Sequence, residues 1–131
     1  MEGVASSNGG HRHQILVVED DERLLAAMVS LLKLVGYTAL GAPNGYVALE
    51  RLRSEQAPCL ILLDLMMPEM DGWQFRKRQL ADPKLAAVPV IVCSAHGASE
   101  EVAPLRVQHF VEKPLDVRAL LHLIATCCAH E

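Results

Sequence analysis

The sequence predicts an α/β domain built on a five-stranded, doubly wound parallel sheet with helices on both faces. Three observations point there. Short apolar runs alternate five times with longer stretches that carry apolar residues at helical spacing. Several of the short runs are apolar at every position, as strands covered by helices on both faces must be. The chain has 131 residues, 51% of them hydrophobic and 21% charged, so one self-sufficient core needs neither disulfides nor a structural metal.

Residues 1–13 are rich in Gly, Ser and His and show no periodicity, which predicts a flexible arm ahead of a single domain at 14–131, with His11 and His13 in solvent. Ile15-Leu16-Val17-Val18 reads as the first strand and stops at Glu19-Asp20-Asp21. Leu24, Leu25, Met28, Leu31, Leu32 and Val35 then recur at helical spacing, between an acidic start suited to a helix N-terminus and a closing Gly36. A weaker strand follows from Tyr37 to Leu40, then a helix through Val47, Leu49 and Leu52, then the strand Leu60 to Leu63, which ends at Asp64. The loop from Met67 to Gly72, punctuated by Pro and Gly, leads into a polar helix from Trp73 to Leu80. A fourth strand is expected from Val88 to Cys93 and a fifth from Val107 to Val111, with a short helix near Ser99 to Val102 between them. Pro104 interrupts that connection by removing a backbone donor, so the fourth helix is expected to be short or irregular. A last helix carries Leu120, Leu121, Ile124 and Cys128 on one face.

Composition narrows the function. A formal net charge of -4 leaves no basic stripe to neutralise a phosphate backbone, which argues against direct nucleic-acid binding. No apolar stretch reaches membrane-spanning length, so no membrane role is expected. The four cysteines, Cys59, Cys93, Cys127 and Cys128, lack paired ligand spacing and read as small core hydrophobes in a reducing, cytoplasmic setting. A zinc site built from Cys127, Cys128, His122 and His130 would need a second ligand segment that the sequence does not offer.

Open α/β sheets bind ligands beyond the carboxyl ends of their strands. There this sequence places Glu19, Asp20 and Asp21, then Asp64, then Ser94, then Lys113. Carboxylates crowded on one rim repel unless a cation neutralises them, and an all-oxygen set that leaves positions for water and phosphate suits Mg²⁺. An ammonium and a hydroxyl beside them suit the holding of phosphoryl oxygens while a carboxylate, Asp64, acts as nucleophile.

The residues Val17-Val18-Glu19-Asp20-Asp21, the run Asp64-Leu65-Met66-Met67-Pro68-Glu69-Met70-Asp71-Gly72, Ser94-Ala95 and Lys113-Pro114 resemble, in type, order and spacing, the receiver domains of two-component response regulators. The resemblance covers Gln14 to about Ala129 and implies a flavodoxin-like sheet of order 2-1-3-4-5. It also implies residue roles. Asp20 and Asp64 would ligate Mg²⁺ directly, Glu19 through water, and Met66 through its carbonyl. Asp64 would take a phosphoryl group from a sensor histidine kinase or a histidine phosphotransfer protein. Ser94 and Lys113 would engage the phosphoryl group, and Phe110 would hold the aromatic switch position, where plain core packing is an equal reading. Such a chain is a phosphoacceptor switch acting on a downstream protein, not an enzyme. Met66 and His96 flank the expected path of a hydrolytic water, and an apolar Met66 cannot orient it, which implies a fairly long-lived phosphoryl group.

Three rival functions are weaker. A haloacid-dehalogenase-type phosphotransferase needs a second Asp two residues after the nucleophile, where this chain has Met66. A flavodoxin-like cofactor binder needs a small, uncharged phosphate loop after the first strand, where Glu19, Asp20 and Asp21 would repel a phosphate. A degenerate receiver that binds partners without phosphorylation is the alternative, although the acidic, hydroxyl and lysine positions are all filled. The altered connection before the fifth strand further implies that the dimer many relatives form through their fourth helix is not formed here.

Overall fold

The computed structural model describes residues 14–54, 57–95 and 106–128. Five parallel strands run β1 (Gln14–Val18), β2 (Thr38–Ala42), β3 (Leu60–Leu63), β4 (Val90–Ser94) and β5 (His109–Glu112), and they lie in the order β2-β1-β3-β4-β5. Four helices are described: α1 (Glu22–Leu34), α2 (Gly45–Ser54), α3 (Gly72–Ala81) and α4 (Val117–Cys128). The doubly wound sheet of order 2-1-3-4-5 is therefore the one expected. The N-terminal arm, the short fourth helix, Pro104, His96 and His130 fall outside the described residues.

Strand periodicity sorts the core into two layers. Leu16, Val18, Ile61, Leu63, Val90 and Val92 pack on one face with Leu49 and Leu52 of α2 and Phe75 of α3. Ile15, Val17, Leu60, Leu62, Ile91 and Cys93 pack on the other with Met28 and Leu32 of α1 and Leu120, Ile124 and Cys128 of α4. Apart from the half-buried Gln14 that opens β1, the central strands are buried at every position, which is why they carry aliphatic runs.

The helices begin on side-chain caps that the sequence supplies. Asp21 accepts hydrogen bonds from the backbone N–H groups of Arg23 and Leu24 at the start of α1. Asn44 accepts from the N–H of Val47 in α2, and Asp71 with Gln74 forms a reciprocal capping box on α3. Gly36 closes α1 with φ of 106°, the left-handed region that a side chain would resist.

Four strands differ from expectation at their ends, β1 only by the addition of Gln14. β2 starts at Thr38 and continues to Ala42, because the Tyr37 N–H is taken by the Leu32 carbonyl at the end of α1. Gly41 and Ala42, too small to register as a strand signal, complete the pairing with Val17 and Val18. β4 starts at Val90, since the Val88 N–H turns back to the Leu85 carbonyl. β5 starts at His109 and includes Glu112; at the sheet edge it is half-buried or exposed throughout, so its apolar content is a poor guide to its ends.

Candidate functional site

The carboxyl ends of β1, β3, β4 and β5 bring together Glu19, Asp20, Asp64, Ser94 and Lys113. Backbone hydrogen bonds carry the sheet one step beyond its formal ends and fix several of these residues. The N–H of Glu19 donates to the Ala42 carbonyl, that of Asp64 to the Val18 carbonyl, and that of Lys113 to the Ser94 carbonyl, at 3.0, 3.0 and 2.9 Å. The side chains thus leave a rigid rim rather than a loose loop.

Glu19, Asp20 and Asp64 each offer a carboxylate oxygen, and these atoms all lie within 4.8 Å of one another. Glu19 and Asp64 are buried and Asp20 is the most exposed of the three. Lys113 Nζ donates to Glu19 Oε1 at 2.7 Å and stands 3.6 Å from Asp64 Oδ1. Its own ordering contact in this structure is therefore with Glu19. Further donors reach the carboxylates from the backbone: the N–H of Asp21 to Glu19 Oε2 at 3.1 Å, and the N–H of Met66 to Asp64 Oδ1 at 3.3 Å.

Three carboxylates against one ammonium leave an excess of negative charge. The Asp64 carboxyl shows it: burial first, then repulsion from Glu19, push its pKa up to about 7, with an Asp20 hydrogen bond adding to the rise and Lys113 and the Met66 N–H opposing it. Burial works against the Lys113 charge, but the hydrogen bond to Glu19 and the attraction of Asp64 and Glu19 raise its pKa overall. A divalent cation fits this donor set, because it would offset the repulsion and favour the charged form of Asp64.

The loop after β3 is held by close packing. A side chain at Gly72 would put its Cβ 2.7 Å from the Asp64 carbonyl oxygen and 2.7 Å from Leu65 Cα. The Gly72 N–H meanwhile donates to the Leu65 carbonyl at 2.9 Å. Met67 and Met70 are buried in the core, whereas Met66 is 51% exposed beside the carboxylates. Glu69 occupies a left-handed conformation, φ 68°, at the tip of this loop. The Lys113–Pro114 peptide bond is cis.

Ser94 is fully buried at the end of β4. Phe110, on β5, is half-buried and packs against the core layer beneath α2 and α3. Asp21, the third acid of its run, serves as the α1 cap and is not among the clustered carboxylates. Cys93 is the residue whose relation to the site the sequence did not disclose. Its thiol lies close enough to feel Lys113, Glu19 and Asp64, and burial above all pushes its pKa up to about 12, so it stays neutral beneath the acidic cluster. Its only sequence signal, a small apolar residue inside a strand, is shared with every core position.

Comparison with known proteins agrees with this geometry. The family model described as the response regulator receiver domain matches residues 15–125. The hybrid signal transduction protein dokA of Dictyostelium discoideum is 35% identical over 108 residues, which make up 81% of this chain but only 6% of that protein. The polar-differentiation response regulator DivK of Brucella anthropi is 30% identical over 113 residues, 84% of this chain and 91% of DivK. Among solved structures, a response regulator receiver protein from Pseudomonas putida superposes with a TM-score of 0.84 at 30% identity, covering 90% of this chain and 99% of that one. The chain belongs to the response regulator receiver domain family of two-component signalling.

Proposed function

We propose that this receiver accepts a phosphoryl group on Asp64 from a sensor histidine kinase or a histidine phosphotransfer protein, and that the change is read by a downstream protein in the cytoplasm. The observation that carries the reading is a buried carboxyl at the end of a central strand, within 4.8 Å of two other carboxylates and 3.6 Å from the Lys113 ammonium. Asp20 and Asp64, with the Met66 carbonyl and, through water, Glu19, are the groups that would hold Mg²⁺. Bound there, the ion would supply charge neutralisation to the carboxylates and to the incoming phosphoryl oxygens.

The chain's own residues do the rest. The Asp64 carboxylate attacks phosphorus in line, forming the O–P bond as the P–N bond of the phosphohistidine breaks. Lys113, which bridges toward both Glu19 and Asp64, is placed to exchange part of its contact with Glu19 for a phosphoryl oxygen. Ser94 would donate its hydroxyl to another, and the vacated space would be filled by Phe110 through packing alone, since Phe has no hydroxyl. In this role the protein is a phosphoacceptor and not a turnover enzyme.

Intact mass after incubation with acetyl phosphate and Mg²⁺ tests the reading. One added phosphoryl group on wild type, none on Asp64→Ala and none in EDTA are expected. Asp20→Ala should slow labelling strongly, whereas Asp21→Ala, which removes only the α1 cap, should lower stability and leave labelling in place. Lys113→Ala should still label, with the accompanying NMR shift changes reduced. An unlabelled wild type would favour a receiver that binds its partner without phosphorylation.

A further inference from the structure

At the opposite end of the sheet from the acidic cluster, Cys59 and Cys128 bring their sulfurs to 2.7 Å although 69 residues separate them in sequence. Cys59 immediately precedes β3, its N–H bonded to the Gln14 carbonyl beside the start of β1, and Cys128 is the last residue of α4. Both are buried in the core layer under α1 and α4. We propose that this pair is a redox modification site, in which a low-molecular-weight disulfide of the glutathione disulfide class converts the two thiols into a disulfide that ties α4 to β3.

Geometry is the first argument. A disulfide sulfur pair sits about 2.05 Å apart, so the two sulfurs need to close by only about 0.7 Å, within the play of two side-chain torsions. Their neighbourhood is the second. The Tyr37 phenol lies close enough to both sulfurs for each to raise its pKa, after the larger effect of its own burial. The pair therefore has a polar phenol in its neighbourhood rather than a wholly aliphatic one. Access is the third. Cys128 lies in the last turn of a helix, where fraying opens buried groups without unfolding the domain. Its neighbour Cys127 is half-buried and lines a cleft of about 410 Å³ with Thr126, His109 and Arg76, so the outer side of this turn already meets solvent.

The step balances. One protein thiolate attacks a sulfur of the small disulfide, giving a mixed disulfide and one small thiolate. The second protein thiolate then displaces the other small thiolate as the Cys59–Cys128 bond forms. Two protein thiols are oxidised and one small disulfide is reduced to two thiols. Cys59 precedes and Asp64 follows β3, and α4 follows the Lys113 loop, so the bond would join the two segments that carry the acceptor and the lysine.

The test is peptide mapping of the native full chain after equilibration with glutathione disulfide, with unreacted thiols alkylated before digestion. We expect one crosslinked peptide containing Cys59 and Cys128, with Cys93 and Cys127 alkylated, and a melting temperature about 10 °C higher than that of the reduced protein. Cys127→Ser should form the same crosslink and Cys128→Ser none. In urea the selectivity should disappear, since only the fold brings the pair together. Complete alkylation of Cys59 in the oxidised native protein, or a native crosslink that pairs Cys59 with Cys127, would overturn the proposal.

Discussion

Two buried polar clusters sit at opposite ends of this sheet and are built on opposite principles. At the carboxyl ends, Glu19 and Asp64 share one ammonium, and the Asp64 carboxyl is driven up to about 7 by burial and by its neighbour. Toward the amino ends of β4 and β5, α3 turns Arg76 and Gln79 inward. There Arg76 Nη1 donates to Gln79 Oε1 at 2.6 Å and Nη2 to the Arg106 carbonyl at 2.9 Å. Gln79 Nε2 in turn donates to the carbonyls of Leu85 and Val88 at 2.9 and 3.0 Å. The second cluster is satisfied within the fold; the first has charge left over. A buried polar group that is fully bonded stabilises a particular packing, whereas one left in electrostatic conflict marks a place where a ligand completes the structure.

The largest effect should come from breaking the satisfied cluster. Gln79→Ala removes the acceptor for Arg76 Nη1 and the side-chain donor to the Leu85 and Val88 carbonyls, of which the Leu85 carbonyl keeps the Val88 N–H, so urea denaturation should show a loss of about 3 kcal/mol. Phosphoryl labelling of the variant, below its unfolding transition, should stay within about threefold of wild type because the two clusters share no side chain. A loss below about 1 kcal/mol would mean that water replaces the glutamine and that the contrast between the clusters is overstated.

Gly72→Ala should be the next most damaging. Its Cβ would meet the Asp64 carbonyl and the Leu65 backbone, neither of which is a flexible side-chain end. A cost of about 2 kcal/mol is expected, together with slower labelling, because the loop that bears the Met66 carbonyl must shift. A stability change without any change in labelling would detach this loop from the site.

The opposite sign is expected for the acidic cluster. In the metal-free protein the Asp64 carboxyl keeps its proton up to about 7, against 3.8 in the ordinary state. Between those values the folded chain therefore holds more protons than the unfolded one. Stability contributed by this group should fall as pH rises through that window and stay low above it. Asp64→Asn should accordingly raise metal-free stability by about 1 kcal/mol at pH 8 and change it little near pH 4. Mg²⁺ should stabilise wild type at pH 8 and leave Asp64→Asn nearly unaffected. A variant less stable than wild type at pH 8 would show that Lys113 outweighs the repulsion.

The smallest effect belongs to the loop tip. Glu69 holds a left-handed backbone, φ 68°, that Gly adopts without a Cβ penalty. Glu69→Gly should stabilise by no more than about 0.5 kcal/mol, since the greater freedom of Gly in the unfolded chain offsets most of the relief. A clear destabilisation would show that the Glu69 side chain itself holds the loop.

Much of this protein is written in local sequence. Aliphatic runs at Ile15, Leu60 and Ile91 specify buried parallel strands, because a period of two with no polar position leaves no solvent face. Asp21, Asn44 and Asp71 mark helix starts through short-range hydrogen bonds. The acids and the lysine that cluster at the rim are legible as well, since the residue after a parallel strand projects from the same end of the sheet whatever the loops do. Tertiary structure alone decided the rest. The ends of β2, β4 and β5 depend on which carbonyl captures Tyr37, Val88 and Gln108, and small or exposed residues carry no pattern for that choice. The helix that reads as polar from Trp73 to Leu80 buries Arg76 and Gln79 because carbonyls from Leu85, Val88 and Arg106 converge on it, and hydropathy cannot count partners supplied from elsewhere. The meeting of Cys59 with Cys128, and the acidity of Asp64, arise between residues far apart in the chain, where distance and burial set the energy and neither has a local signature.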